Sequence, residues 1–246
     1  MRLLAVTLSM VATLSASGCA GGSGAATPAP PAVPEPPLPV GATLTRDPVT
    51  GTVLFLKGQD LSRELDVEPM FRANRGAGDA EGVARAFLAA YAPIFRLDQP
   101  NEELVVRRID LDKIGTTHVR FDQTWRGMPI PGAQLIVHLD RDRRVVLVSG
   151  KYFATPDDLE TAPKLSADEA RAIAAREGGF AEGGCAQCAA DLVVFAEKKQ
   201  PMRLAWRVGV PPDSIAALER TIDALDGTLL RSLPVALSKK WREKQR

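Results

Sequence analysis

Histidine, cysteine and tyrosine are scarce in this 246-residue chain, with two, three and two copies, and aromatic residues make up only 5%. His118 and His138 each lack neighbouring ligands at metal-site spacing, so no metal site and no cofactor is expected. Both read as structural or merely exposed histidines, and neither has the sequence context of a partner to an activated serine. Charge of one sign is missing too. The formal net charge of +1 leaves no global electrostatic case for nucleic acid. The one dense basic stretch, Lys239, Lys240, Arg242, Lys244 and Arg246, reads as a solvated tail. Long apolar runs are absent except from Leu3 to Leu14, and about a dozen residues fall short of the roughly 20 that a membrane-spanning helix needs. What remains is ordinary globular composition, 45% hydrophobic and 25% charged, which predicts a folded core.

The short run has a function of its own. Met1 and Arg2, the apolar stretch and the small residues Ser15, Ala16, Ser17 and Gly18 make residues 1–18 a secretory signal peptide. Ala16-Ser17-Gly18-Cys19 resembles the lipobox of bacterial lipoproteins. That resemblance implies cleavage before Cys19 and acylation of the chain there, palmitate being a typical acyl group. Ordinary signal cleavage, leaving a secreted or periplasmic soluble protein, is the alternative. Residues 19–40, rich in Gly, Ser and Pro, have too little apolar surface to offset the entropy of ordering and are expected to be a disordered tether. The expected location is the outer membrane or the outer face of the cell membrane; Ala20 resembles the outer-membrane sorting pattern of lipoproteins.

Cys185 and Cys188 form a C-x-x-C pair after the glycine-rich stretch 178–184. A redox enzyme would place such a pair at a helix N-terminus beside a parallel strand, and zinc would need two further ligands. A small disulfide that staples a loop is the favoured reading, with redox or metal handling through Cys185 and Cys188 as alternatives.

Periodicity predicts an α+β protein: after the tether, two consecutive units, each a helix packed on an antiparallel sheet. A strand at Val53–Leu56 follows the turn Asp47–Gly51. A helix capped by Asp79 carries Val83, Phe87, Leu88, Tyr91, Ile94 and Phe95 as its apolar stripe. A meander follows: Leu104–Ile109, Thr117–Trp125, Ala133–Leu139 and Val145–Ser149. Alternation puts Val119, Phe121 and Trp125 on one face, and His118, Arg120, Asp122 and Thr124 on the other. In the second unit Ser166 and Glu169 form a capping box. Strands are then predicted at Asp191–Ala196, Arg203–Val210, Glu219–Ala224 and Thr228–Leu233.

Particular stretches resemble a known family. Asp47-Pro48-Val49-Thr50-Gly51-Thr52-Val53, the segment Gly115 to Trp125 with its His-Val-Arg-Phe run, and Gly127-Met128-Pro129-Ile130 with Gly132 to Asp140 are similar to the propeptide domain of fungalysin/thermolysin metalloproteases. Leu165 to Ala170, Leu204 to Val208 and Ile222 to Gly227 resemble the PepSY domain that follows it. Arg143 stands where the family often has a turn glycine. The resemblance implies an FTP-like domain over 41–155 and a PepSY-like domain over 160–235, followed by a basic tail at 236–246. Propeptides of this family assist folding of their protease and block it. This sequence contains no His-Glu-x-x-His motif. The implied function is a non-enzymatic exported lipoprotein that inhibits or chaperones an extracytoplasmic, thermolysin-like metalloprotease. An envelope structural or interaction lipoprotein with no protease target is the alternative. If Cys19 carries the anchor, Cys19→Ser is expected to move the protein from membrane to soluble fractions, and an unchanged membrane fraction would count against lipidation.

Overall fold

The computed structural model describes residues 37–65, 77–177, 185, 187–209 and 218–234. The leader, Cys19, most of the tether and the 236–246 tail lie outside the described residues, as does the glycine-rich stretch before Cys185. Among the described residues no helix is long and apolar enough to cross a membrane.

The first sheet has six antiparallel strands: β1 (Thr43–Arg46), β2 (Val53–Lys57), β3 (Leu104–Leu111), β4 (Thr117–Trp125), β5 (Met128–Leu139) and β6 (Val145–Lys151). Their order is β1-β2-β6-β5-β4-β3. The predicted meander is present as β3 to β6. It is extended by a hairpin, where the sequence reading had a single opening strand. Thr43–Arg46 escaped because four residues with one apolar member give almost no periodic signal. Asp47 closes that hairpin: its Oδ1 accepts the backbone N–H groups of Val49 at 2.9 Å and Thr50 at 3.1 Å. The β4–β5 turn has φ of 47° at Arg126 and 78° at Gly127, the pair of left-handed residues that a two-residue type I′ hairpin requires. Strand β5 therefore starts at Met128, five residues earlier than predicted.

Burial falls on one face. Val119, Phe121 and Trp125 point inward together with Leu135, Val137, Leu139, Val145 and Val148. Helix α1 (Ala77–Ala90) covers all of these but Trp125 with Ala80, Val83, Ala84, Phe87 and Leu88, spaced i, i+3, i+4, i+7, i+8 as an amphipathic stripe demands. Asp79 lies inside this helix and does not precede it. The predicted helix is also cut in two: α1 stops at Ala90, and Ala92–Phe95 forms a separate turn, α2. Pro93 accounts for the break, since it has no N–H to continue the α1 ladder and is tolerated in the first turn of a new helix, where it sits in α2. Ile94 and Phe95 still reach the core. A further turn, α3 (Pro100–Glu103), leads into β3.

One inward position of β4 is polar. Gln123 is 1% exposed, and its amide pairs with the backbone of Phe153: Nε2 donates to the carbonyl at 2.7 Å and Oε1 accepts the N–H at 3.0 Å. The side chain acts as one more rung of backbone ladder and fixes the chain leaving β6.

The second sheet, ordered β10-β9-β8-β7, contains β7 (Ala189–Phe195), β8 (Arg203–Gly209), β9 (Leu218–Asp223) and β10 (Leu229–Pro234), with α4 (Ala167–Glu177) packed on it. The capping box is formed: Ser166 N–H donates to Glu169 Oε2 at 2.7 Å, and Glu169 N–H donates to Ser166 Oγ at 3.3 Å. Trp206 Nε1 donates to the Leu165 carbonyl at 2.8 Å, holding the helix entry against β8. The α4 alanines 170, 174 and 175 pack with Val208 and Ile222.

Among the described residues an apolar cluster and an ion pair join the sheets. Trp125, Ile130, Ala133 and Phe153 share an apolar cluster with Val194 and Ala196. Lys198, in the β7–β8 turn, donates to Asp47 Oδ2, a carboxylate whose side chain is only 3% exposed. The Lys198 hydrogen bond first, then the N–H groups of Thr50 and Val49, lower the Asp47 pKa to about 2. Gln123→Leu would strand both polar groups of Phe153, at roughly 1–3 kcal/mol for each. The expected outcome is a urea unfolding midpoint lowered accordingly with an unchanged slope, and an unshifted midpoint would refute this role for Gln123.

Candidate functional site

The outer face of the six-stranded sheet carries most of the polar chemistry. Register places Asp110, His118, His138 and Leu147 side by side across β3, β4, β5 and β6, with Arg108, Arg120, Ile136 and Ser149 in the adjoining row. Asp110 Oδ2 accepts from Arg108 Nε at 2.7 Å and Arg120 Nε at 3.2 Å, and Asp122 pairs with Arg107 at 3.0 Å. These are partly exposed pairs and fix side-chain positions more than they stabilise the fold.

Within this face the two histidines meet. Their rings stand perpendicular, 88° apart, with Nδ1 facing Nδ1 at 2.7 Å. Each outer nitrogen is held: His118 Nε2 lies 3.0 Å from Asp112 Oδ2, and His138 Nε2 lies 3.0 Å from Ser149 Oγ. Asp112 sits in the β3–β4 turn, where its Oδ1 accepts the N–H groups of Thr116 at 2.9 Å and Ile114 at 3.0 Å. The Thr116 N–H foremost, and His118 as well, lower its pKa, so the group is a carboxylate and accepts only. Protonation states follow by elimination. His118 must donate from Nε2, which leaves a lone pair on its Nδ1 when it is neutral. His138 then donates from Nδ1 to that lone pair, and the Ser149 hydroxyl donates to His138 Nε2. The result is one continuous line, Ser149 to His138 to His118 to Asp112, spanning three strands and a turn.

The sequence offered neither the pairing nor the line. His118 and His138 are twenty residues apart, and only the β4–β5 register makes them opposite; Asp112 and Ser149 carried no signal. The line has the polarity of a nucleophile relay, but the cavity between Asp47, Tyr152 and Lys198 and that between Pro131, Phe195 and Arg231 are lined by other residues. Among the described residues no group of three or more His, Cys, Asp or Glu is arranged to hold a metal ion.

Elsewhere, Cys185 and Cys188 are at disulfide distance, with Cα atoms 5.0 Å apart. Both are 2% exposed and packed under α4, and Arg171 Nε donates to the Cys188 carbonyl at 2.8 Å. One edge of the first sheet is β3, where Val105 is 52% and Leu111 72% exposed, followed by Ile114 at 71% in the next turn.

Burial foremost, then the neighbouring His118 and Arg120, push the His138 pKa down to about 4 despite the opposing effect of Asp112. A histidine whose folded pKa is depressed stays neutral in the native state while its unfolded form takes up a proton, so stability is lost as pH falls between about 6.5 and 4. His138→Gln is expected to flatten this part of the stability profile, read as urea midpoints from pH 7 to 4; an unchanged slope would show that the pair does not titrate this way.

Comparison with known proteins singles out the same region. Residues 102–152 match the Fungalysin/Thermolysin Propeptide Motif. A transglutaminase-activating metalloprotease of Streptomyces mobaraensis is 32% identical over 103 residues, 41% of this chain and 14% of that protein. Bacillolysin of Bacillus subtilis (strain 168) is 28% identical over 157 residues, 60% of this chain and 30% of the protease. The chain thus spans less than a third of the length of these curated relatives. The matched motif runs from the end of α3 through β6, and so contains the complete line from Asp112 to Ser149.

Proposed function

We propose that this chain is an exported, non-enzymatic module that binds a thermolysin-like metalloprotease outside the cytoplasm, as an inhibitor or chaperone-like partner. The observation that carries this reading is the match of residues 102–152 to a protease propeptide motif. Residues 41–155 would be the FTP-like domain and 160–235 a PepSY-like domain. Lipid on Cys19 and the tether 19–40 would hold both at a membrane surface. The lipid anchor rests on the resemblance of Ala16-Ser17-Gly18-Cys19 to a lipobox.

The surface suits such a role. An edge strand has unpaired N–H and C=O groups ready to pair with an extended segment. At β3 the exposed Val105 and Leu111 add apolar contact. The buried position of Cys185 and Cys188 favours a staple over redox chemistry, which needs an accessible thiolate.

The test is direct. Purified protein titrated into a thermolysin-like metalloprotease is expected to slow cleavage of a protein substrate at micromolar concentrations, without being consumed as a competing substrate. An unchanged rate at micromolar excess would sink the inhibitor reading.

A further inference from the structure

We infer that His118 and His138 form a binding site for a borderline divalent transition ion of the Zn²⁺ class, with the two facing Nδ1 atoms as ligands and Asp112 and Ser149 as the groups that orient the rings. The inference does not depend on the protease reading.

Two imidazole nitrogens 2.7 Å apart share one proton, and a metal ion can take the same place. Zinc binds imidazole nitrogen at 2.0–2.1 Å in tetrahedral geometry, which sets two ligand nitrogens about 3.3 Å apart. The rings need to part by a few tenths of an ångström each and also to tilt, because a hydrogen bond points one nitrogen straight at the other whereas a tetrahedral ion takes its ligands at about 109° to each other; both are side-chain motions on the partly exposed sheet face.

The surroundings are already those of a ligand pair. A metal-binding histidine usually donates its other N–H to a carboxylate, carbonyl or hydroxyl, which fixes the tautomer and raises the basicity of the ligand nitrogen. His118 has this arrangement with Asp112, whose own orientation is locked by the Thr116 and Ile114 N–H groups. His138 has it with Ser149. A hydroxyl can donate or accept, so Ser149 supports either tautomer of His138. Metal entry moves the His138 proton from Nδ1 to Nε2, where Ser149 Oγ accepts it, and no net proton is lost.

Charge is compatible as well. Arg120, a cation that acts on His138 electrostatically, is paired with Asp110, and the Asp112 carboxylate bonds to His118 from the turn. With two protein ligands, water fills the remaining positions, and imidazole donors select Zn²⁺, Cu²⁺ or Ni²⁺ over Mg²⁺ or Ca²⁺.

The experiment uses the full chain with any free thiols alkylated, so that cysteine cannot contribute. Zinc competition against a chromogenic chelator is expected to show one ion per chain, with no displacement by magnesium. His118→Ala and His138→Ala should each abolish it. Asp112→Asn should keep the stoichiometry and weaken affinity by about tenfold. Zinc should also raise the melting temperature of the wild-type protein and not of His138→Ala, because a ligand that binds only the folded state stabilises it. Should a variant fail to fold, the Cu²⁺ electron paramagnetic resonance spectrum of the wild-type chain still decides: coupling to two imidazole nitrogens is expected. Absence of bound metal, binding undiminished in a folded His118→Ala/His138→Ala double variant, or a copper spectrum without imidazole coupling would each overturn the inference.

Discussion

A sheet that is buried on one face only is the constraint from which the rest of this molecule follows. Side chains alternate along a strand, so the residues of β4 and β5 that pair in the middle of the sheet are committed either to the packing under α1 or to the opposite face, while Trp125, Ile130 and Ala133 pack against the second sheet. Phe121, Leu135 and Val137 are fully buried, and no one-residue slip could keep them so. The register they enforce is what brings His118 opposite His138. The histidine pair is thus placed by the core, although it contributes nothing to it.

The two faces do different work. Inside, apolar volume and one satisfied amide, Gln123, hold the sheet and the segment after β6. Outside, nearly every charged group is answered by a neighbour: Asp110 by Arg108 and Arg120, Asp122 by Arg107, Asp112 by two backbone N–H groups and His118. Such a surface is ordered before any partner arrives. It therefore loses less side-chain entropy on binding than an unpaired array would. The propeptide motif runs from the end of α3 through β6 and so takes in residues of both faces of the meander.

Much of the fold could be read from the chain. The strands of the meander, the inward Val119, Phe121 and Trp125, the capping box at Ser166 and the helical stripe on Phe87 all follow from short-range pattern. Arg143, at a turn position where related propeptides often have glycine, has φ of 65°; the backbone demand that favours glycine is present and this chain meets it with arginine. Non-local features were hidden. The hairpin β1–β2 joins β6 across ninety residues, Gln123 reaches Phe153, and the four groups from Asp112 to Ser149 become neighbours only through strand register. Pro93 was visible, but its power to divide a helix whose apolar stripe continues beyond it was not allowed for.

The contact between Asp47 and Lys198 joins residues 151 positions apart. The chain is made from its N-terminus, so the first hairpin is available before the β7–β8 turn exists. Until that turn arrives, the Asp47 carboxylate has its local N–H donors and water, but no cation. Docking of the second sheet then supplies the charge and excludes the water together. The burial of one carboxylate thus depends on a side chain from the other sheet, a non-local contact of the kind whose loop-closure cost slows folding.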